Sequence, residues 1–422
     1  MKERSRRFGV AICALLLLPL LYSGAGAGEP PAAKINGTLS KIDGMPVLRV
    51  WGTPQERGYA HGFLLGKNIV SLVDAFLSSG TLGGSVEGYK NRILPMLSRM
   101  TIDPEYEAEL RGLLAGVEAQ AGGTVRVPCL GRTMRYDDLA AINCTADFTR
   151  MGCSSFAVWG PMTKDGYTLA GRNMDWPAVP ALLGTQIIVV NVPSVDSGKL
   201  GWVSITWPGY VICTTGMNAE GVTVSMHDAG GLPPSTNNGF TPRGLALREA
   251  IESAHAATAF EDVARVLREC VCAVGNNIMV TRPRGDNVPA AAVFEYDGYL
   301  PNDKGVTIRN ARKGENFIAC TNHYRKRAEP VPCGRYSRLS KRLERTAGAG
   351  GRKHLTQKTA RKMLDRVSME GIITHHSVVF EPNKRLMHVA FATDGKHAPR
   401  CKFVTLDVTK LLQGPDAVAG GE

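Results

Sequence analysis

The sequence predicts an α+β protein in which sheets stack and carry helices on their outer faces. Three observations lead there. Residues 53–121 carry helical periodicity, and little before residue 150 reads as sheet. After residue 150, short runs rich in β-branched and aromatic residues take over, bounded by turn-forming Gly, Pro and Asn. Two helical stretches then interrupt those runs, giving the order strands, helices, strands.

The chain opens like an export signal. Lys2, Arg4, Arg6 and Arg7 precede an apolar run from Phe8 to Tyr22, and Ala25-Gly26-Ala27 offers the small residues of a cleavage site. The run is short and broken by Pro19, unlike a membrane span. Residues 1–27 are read as a signal peptide, so the mature protein is expected outside the cytosol, periplasmic or extracellular, or lysosomal in a eukaryote. A short linker and one strand, Met45–Trp51, follow. Thr53, Pro54 and Glu56 then make a helix start, with a cap, a first-turn proline and a capping box. Gly58, Gly62 and Gly66 recur every fourth residue and clear one helix face for another backbone.

Strands are expected at Ser154–Gly160, Tyr167–Asn173, Gln186–Val192, Trp202–Trp207, Val211–Thr215 and Val222–Met226. Helices follow at Pro242–Ser253 and Phe260–Cys270, the second capped by Thr258 with Glu261. Strands resume at Asn277–Thr281, Ala290–Tyr296 and Phe317–Thr321. A basic helical stretch, Arg338–Arg366, precedes a hairpin of Ser377–Phe380 with Leu386–Phe391.

With 422 residues, 44% of them hydrophobic, the chain can bury a large core. Its formal charge of +12 is almost entirely local, because residues 325–366 hold fourteen Lys/Arg and three Asp/Glu. A single aromatic, Tyr336, stands among these charges, so no nucleic-acid partner is expected. An anionic surface is the partner this stretch would suit. Of ten cysteines, Cys13 leaves with the signal. If Cys153 stays free for chemistry, eight remain: Cys129, Cys144, Cys213, Cys270, Cys272, Cys320, Cys333 and Cys401. That even number permits disulfides but does not choose their pairing. Cys270-Val271-Cys272 lacks zinc-ligand spacing, and neither a metal nor a cofactor is expected. His375 and His376 are adjacent in an extended stretch, which points them to opposite faces.

The chemistry concentrates in one hairpin. Folding Ser154–Gly160 onto Tyr167–Asn173 about Thr163-Lys164-Asp165-Gly166 sets Cys153 opposite residues near Met174. Arg172 and Asp175 then lie beside the thiol, where a thiolate could be stabilised. No histidine is near Cys153 in sequence to serve as base. The alternative base is the α-amine of Cys153 itself, with an unperturbed pKa of about 7.7–8.0. That requires Cys153 to become a chain terminus, and Gly152 presents no side chain to obstruct attack on its carbonyl.

Met151-Gly152-Cys153-Ser154-Ser155-Phe156 with Gly171-Arg172-Asn173-Met174-Asp175-Trp176 resembles the cysteine N-terminal-nucleophile hydrolases, and among them the acyl-CoA:6-aminopenicillanic acid acyltransferase family. Trp51–Gly62, Thr215–Val222 and Cys320-Thr321-Asn322-His323 resemble further segments of that family, in the same order. The resemblance implies a four-layer αββα sandwich, cut between Gly152 and Cys153 into a helical N-terminal piece (28–152) and a catalytic piece (153–422) that together make one domain. It implies Cys153 as nucleophile, Asp175 orienting its amine, Arg172 polarising the thiol and Asn322 donating to the oxyanion. A second donor is expected near His227 or Asp228, where relatives carry Asn. Arg338 resembles a substrate-site arginine of bile-salt hydrolases.

The function expected is an exported, self-cleaving hydrolase of linear non-peptide amides, or a transferase of their acyl groups, working through a thioester on Cys153. A lipid-directed hydrolase, phospholipase-B-like or ceramidase-like, is the alternative within this fold. A non-catalytic, disulfide-stabilised binding protein is the alternative from another class.

Overall fold

A nine-stranded sheet and a six-stranded sheet face each other across an apolar layer. The computed structural model describes residues 35–177, 182–229, 237, 239–285, 288–297, 305–350, 353–369, 372–393 and 395–413. The expected signal peptide lies outside them. In chain order the strands are β1 (Gly37–Ile42), β2 (Met45–Gly52), β3 (Gly152–Val158), β4 (Leu169–Trp176), β5 (Ile187–Pro193), β6 (Trp202–Thr206), β7 (Thr215–Asn218) and β8 (Thr223–Asp228). They continue with β9 (Asn276–Thr281), β10 (Ala291–Tyr296), β11 (Val306–Asn310), β12 (Phe317–Cys320), β13 (Ile373–Glu381), β14 (Leu386–Phe391) and β15 (Val404–Asp407). The larger sheet runs β1-β2-β5-β6-β7-β8-β9-β10-β11 and the smaller β12-β3-β4-β13-β14-β15. Pairing is antiparallel except between β2 and β5.

Strand alternation sorts the side chains into layers. Val47, Ile188, Val190, Ile205 and Val293 of the large sheet meet Ala157, Ala170, Val378 and Val389 of the small one. The opposite face of the large sheet, including Leu48, Val189 and Phe294, packs on helices α1 (Pro54–Ser78), α2 (Pro104–Ala121), α3 (Tyr136–Asn143), α4 (Arg243–Ser253) and α5 (Ala259–Glu269). Phe156, Val158 and Val379 on the outer face of the small sheet pack on α6 (Gly334–Ala347) and α7 (Gln357–Asp365). The result is the helix–sheet–sheet–helix sandwich the family resemblance implies.

The start of α1 forms as its sequence dictates. The Thr53 side chain accepts from the Glu56 N–H, and Glu56 Oε2 accepts from the Thr53 N–H at 2.8 Å. By length and composition α1 is apolar enough to cross a membrane, but Ile69, Val73 and Phe76 are fully buried in the core. Its glycines let α2 approach: a Cβ on Gly58 would lie 1.9 Å from the carbonyl oxygen of Glu109, and one on Gly62 would lie 2.1 Å from that of Leu113.

Several expectations are corrected. Val211–Thr215 is not a strand; pairing begins at Thr215 and runs to Asn218. Thr258 does not cap α5, because its hydroxyl donates instead to the Asp262 carboxylate at 2.7 Å. The basic stretch is two helices, α6 and α7, and the first starts at Gly334. A register shift between Thr374 and His376 breaks the strand alternation, so both His375 and His376 lie against Trp207, at 5.8 and 6.4 Å between ring centroids. All nine cysteines among the described residues are free thiols.

Candidate active site

Cys153 is the second residue of β3 and pairs with Met174 of β4, the register the hairpin predicts. Strand alternation then divides its neighbours. Arg172 lies on the thiol's face of the sheet, diagonal to it, while Asp175 sits opposite Gly152 and points to the other face. The thiol is fully buried. Burial pushes its pKa above the ordinary cysteine value; the Arg172 guanidinium opposes this, and the Asp175 and Asp228 carboxylates add to it. Arg172 is itself buried, with Nε donating to Thr215 Oγ1 at 3.3 Å and Nη1 to the Asn173 carbonyl at 3.1 Å. Its Nη2 has no hydrogen-bond acceptor among the described residues.

Four backbone groups around the Gly152–Cys153 bond are each held by a side chain. The Cys153 N–H donates to Asn322 Oδ1 at 2.8 Å, and Asn322 Nδ2 donates to the Met151 carbonyl at 2.9 Å. The Met151 N–H donates to Asp228 Oδ2. The Cys153 carbonyl accepts from Arg335 Nη1 at 2.5 Å. Asn322 follows the end of β12, the edge strand beside β3, and its side chain there does the work of a ladder partner. The second Nδ2 hydrogen goes to the Asp228 carbonyl at 3.0 Å. In this uncut chain, then, the Asn322 amide holds the residues on either side of Gly152.

Gly152 is tightly enclosed. A Cβ there would lie 2.5 Å from Met369 Sδ and 3.1 Å from Asp175 Cβ. Asp175 is fully buried; it accepts from Thr374 Oγ1 at 2.6 Å and lies 3.4 Å from Arg335 Nη1. Burial raises its pKa, against the Thr374 hydroxyl and the Arg335 and Arg172 charges. Asp228 ends β8 on the large sheet, so the site bridges both sheets. Its carboxylate is ion-paired with Arg243, and burial raises its pKa against that pairing.

His227 faces the gap between the sheets. Its Nδ1 donates to the Asn277 carbonyl at 3.0 Å, which leaves Nε2 to accept the Ser155 hydroxyl at 2.7 Å. Burial holds its pKa well below the ordinary value, so the ring is neutral.

The sequence-predicted residues Cys153, Arg172, Asp175 and Asn322 thus converge, with His227 and Asp228 beside them. Arg338 does not join them. It is exposed on α6, and its Nη1 donates to the Arg366 carbonyl at 3.2 Å. One turn earlier, in the first turn of α6, Arg335 reaches Cys153, Asp175 and also Asn322 Oδ1, at 2.6 Å. Sequence reasoning missed Arg335 because it sits in a run of fourteen similar cations. Its position at a helix start soon after Asn322 is the signal that could have found it.

A buried thiol opening a strand, an arginine on its face and side chains holding the preceding peptide thus meet at one point between the sheets. The model of the acyl-coenzyme A:6-aminopenicillanic acid acyl-transferase family matches residues 162–395, more than half the chain, and the protein belongs to that family. The match takes in Arg172, Asp175, Asn322 and Arg335 and begins just after Cys153.

An uncharacterized protein of Archaeoglobus fulgidus is 23% identical over 213 residues, 44% of this chain and 33% of its own length. The chain therefore spans about a third of that relative. Among solved structures, the Caenorhabditis elegans N-acylethanolamine-hydrolyzing acid amidase ortholog aligns with 60% of this chain and 99% of its own, at 16% identity and a TM-score of 0.42. A variant of the Clostridium perfringens conjugated bile acid hydrolase covers 62% and 94% at 11% identity and a TM-score of 0.42. Penicillin V acylase from Agrobacterium tumefaciens covers 63% and 89% at 15% identity and a TM-score of 0.41.

Proposed function

We propose that the chain cuts itself between Gly152 and Cys153 and then works, outside the cytosol, as a hydrolase of linear non-peptide amides with Cys153 as nucleophile. The observation that carries this reading is the grip of Asn322 on both sides of Gly152, the residue whose carbonyl the neighbouring thiol must attack. In the first step the Cys153 sulfur bonds to the Gly152 carbonyl carbon, the C–N bond breaks, and the thiol proton goes to the freed nitrogen. Water then hydrolyses the thioester, leaving a Gly152 carboxylate and a free thiol.

The freed amine is the base of the mature site. It takes the thiol proton, the thiolate attacks an amide carbonyl, and the proton passes to the departing amine. Water, or an acceptor amine in the transferase case, releases the acyl group. Arg172 favours the thiolate. Asp175 and Arg335 act through their mutual contact to orient the residue-153 backbone. Asn322 Nδ2 loses the Met151 carbonyl when that segment leaves, which frees a hydrogen for the oxyanion. Intact mass tests the reading: wild type should be two pieces, the larger beginning at Cys153, and Cys153→Ala a single chain. An uncut wild type with full amidase activity would sink it.

A second reading, a lipid-directed hydrolase, is favoured by one feature. Arg338, Lys341, Arg342 and Arg345 line one face of α6 and, with Arg366, surround a groove of about 360 Å³ floored by Leu339, Met363 and Val367. Such a cation face suits an anionic bilayer. Co-sedimentation with vesicles containing phosphatidylserine, lost in high salt, is the expected result; equal binding to neutral vesicles would reject it.

A further inference from the structure

We infer that self-cleavage uncovers a recognition point, the Asp228 carboxylate, which accepts a hydrogen bond from an N–H on the acyl half of the substrate. The inference rests on the self-cleavage reading above. In the uncut chain Asp228 Oδ2 accepts the Met151 N–H, while Oδ1 accepts from Arg243 Nη2. Met151 lies on the acyl side of the bond that is cut, so residues 151 and 152 are the first acyl group that Cys153 takes up. The Met151 nitrogen is five bonds from the reacting carbonyl carbon of Gly152, counted along the backbone.

When that segment departs, Oδ2 loses its donor. Arg243 stays, because it is buried and also donates to the Ala146 carbonyl and to Asn276 Oδ1. A carboxylate oxygen left without a donor in a largely buried site is unfavourable, and a substrate that restores the bond recovers that loss. With Arg243 already pairing the other oxygen, the subsite asks for a hydrogen-bond donor and not for a full positive charge. The substrate class is therefore amides whose acyl chain carries a secondary amide N–H five bonds from the reacting carbonyl, in preference to plain fatty acyl amides.

Two anilides test this on the mature wild-type enzyme. δ-Acetamidovaleryl p-nitroanilide carries the N–H at that distance, and δ-acetoxyvaleryl p-nitroanilide replaces only that N–H by an ester oxygen. Release of p-nitroaniline should favour the first by about ten- to a hundredfold in kcat/KM, the usual worth of a hydrogen bond to a charged group. Met151→Pro removes the same N–H from the precursor and should slow self-cleavage by the same order. Equal turnover of the two anilides overturns the subsite and leaves Cys153 as nucleophile untouched. No turnover of either, together with an uncut chain, overturns the self-cleavage reading and the subsite with it.

Discussion

The N–H of Cys153 and the side-chain oxygen of Asn322 are 2.8 Å apart, although 169 residues separate them in the chain. β12 and β3 pair from Cys320 to Phe317 against Ser155 to Val158. Beyond Cys320 the main-chain ladder stops, and the amide of Asn322 continues it with side-chain atoms. That substitution matters chemically. Under the self-cleavage we propose, a backbone ladder would persist, whereas a side-chain amide would keep the residue-153 nitrogen on its oxygen and free a hydrogen when Met151 leaves.

Asn322→Ala should therefore lose turnover by about a hundred- to a thousandfold, the usual loss for one oxyanion donor. It should also mature slowly, because the Met151 carbonyl and the Cys153 N–H lose their holder. KM should move little, since the donor acts on charge that develops in the transition state. Kinetics on fully cleaved protein, measured beside a thermal melt, check this. A lowered Tm with turnover per folded molecule unchanged would make Asn322 a structural residue only.

The two arginines one turn apart on α6 make an internal control. Arg335 meets Cys153, Asn322 and Asp175, whereas Arg338 donates to the Arg366 carbonyl just past the end of α7. Arg335→Ala should cost at least about tenfold in kcat, from hydrogen bonds to a charged donor worth about 1.5–3 kcal/mol each. Arg338→Ala should leave kcat within about twofold, as exposed substitutions usually do. Steady-state assays of both variants decide it, and the reverse ranking would restore Arg338 to the site.

How legible was this in sequence? The hairpin was readable because turn chemistry and strand alternation fix its register, and Cys153 does pair with Met174. The strands that went unread, β1, β11 and β15, are all sheet edges. An edge strand such as β1, Gly37–Ile42, is mostly exposed and shows no apolar alternation. Val211-Ile212-Cys213 misled in the opposite way: these residues are buried, but in a connection without strand pairing. The shift at His375 was invisible because a bulge obeys local pairing and not composition. Arg335 was hidden among equivalent cations, whereas Cys153, Arg172, Asp175 and Asn322 stood in recognisable contexts.

Self-cleavage should speed up as pH rises. Burial holds the Cys153 thiol above its ordinary pKa, so the thiolate is a small fraction at neutral pH. Below that pKa the thiolate grows about tenfold per pH unit, and the rate of attack on Gly152 should follow it. Intact mass over time, from pH 6 to 9 in steps of about one unit, measures this against a thiolate-limited slope. A rate that falls with rising pH would require an acid-limited step instead.

The last prediction concerns what would hold the two pieces together after the cut we propose. Glu109 of α2 belongs to the N-terminal piece and Arg248 of α4 to the other. Arg248 Nη1 and Nη2 donate to the two oxygens of Glu109 at 2.9 and 2.7 Å, a bidentate pair with both side chains buried. Arg57 of α1 adds a third contact at 3.0 Å. Burial alone would raise the Glu109 pKa, but Arg248 and Arg57 hold its carboxyl below the ordinary value. Tyr106 and Glu252 extend the network across the same boundary, with the Tyr106 hydroxyl donating at 2.8 Å. Glu109→Ala would leave Arg57 and Arg248 buried and short of their shared carboxylate, a loss of about 3–5 kcal/mol. Glu107→Ala, which breaks the exposed pair with Arg111, should leave stability almost unchanged, because water and salt screen such a pair. Urea denaturation of uncut Cys153→Ala carrying each change gives the two values. In cleaved protein the same Glu109→Ala change should let the pieces separate on size exclusion at urea concentrations where wild type still co-elutes. If both variants unfold and separate together with their parents, the network is not what joins the pieces, and the β2–β5 pairing across the cut must carry the association instead.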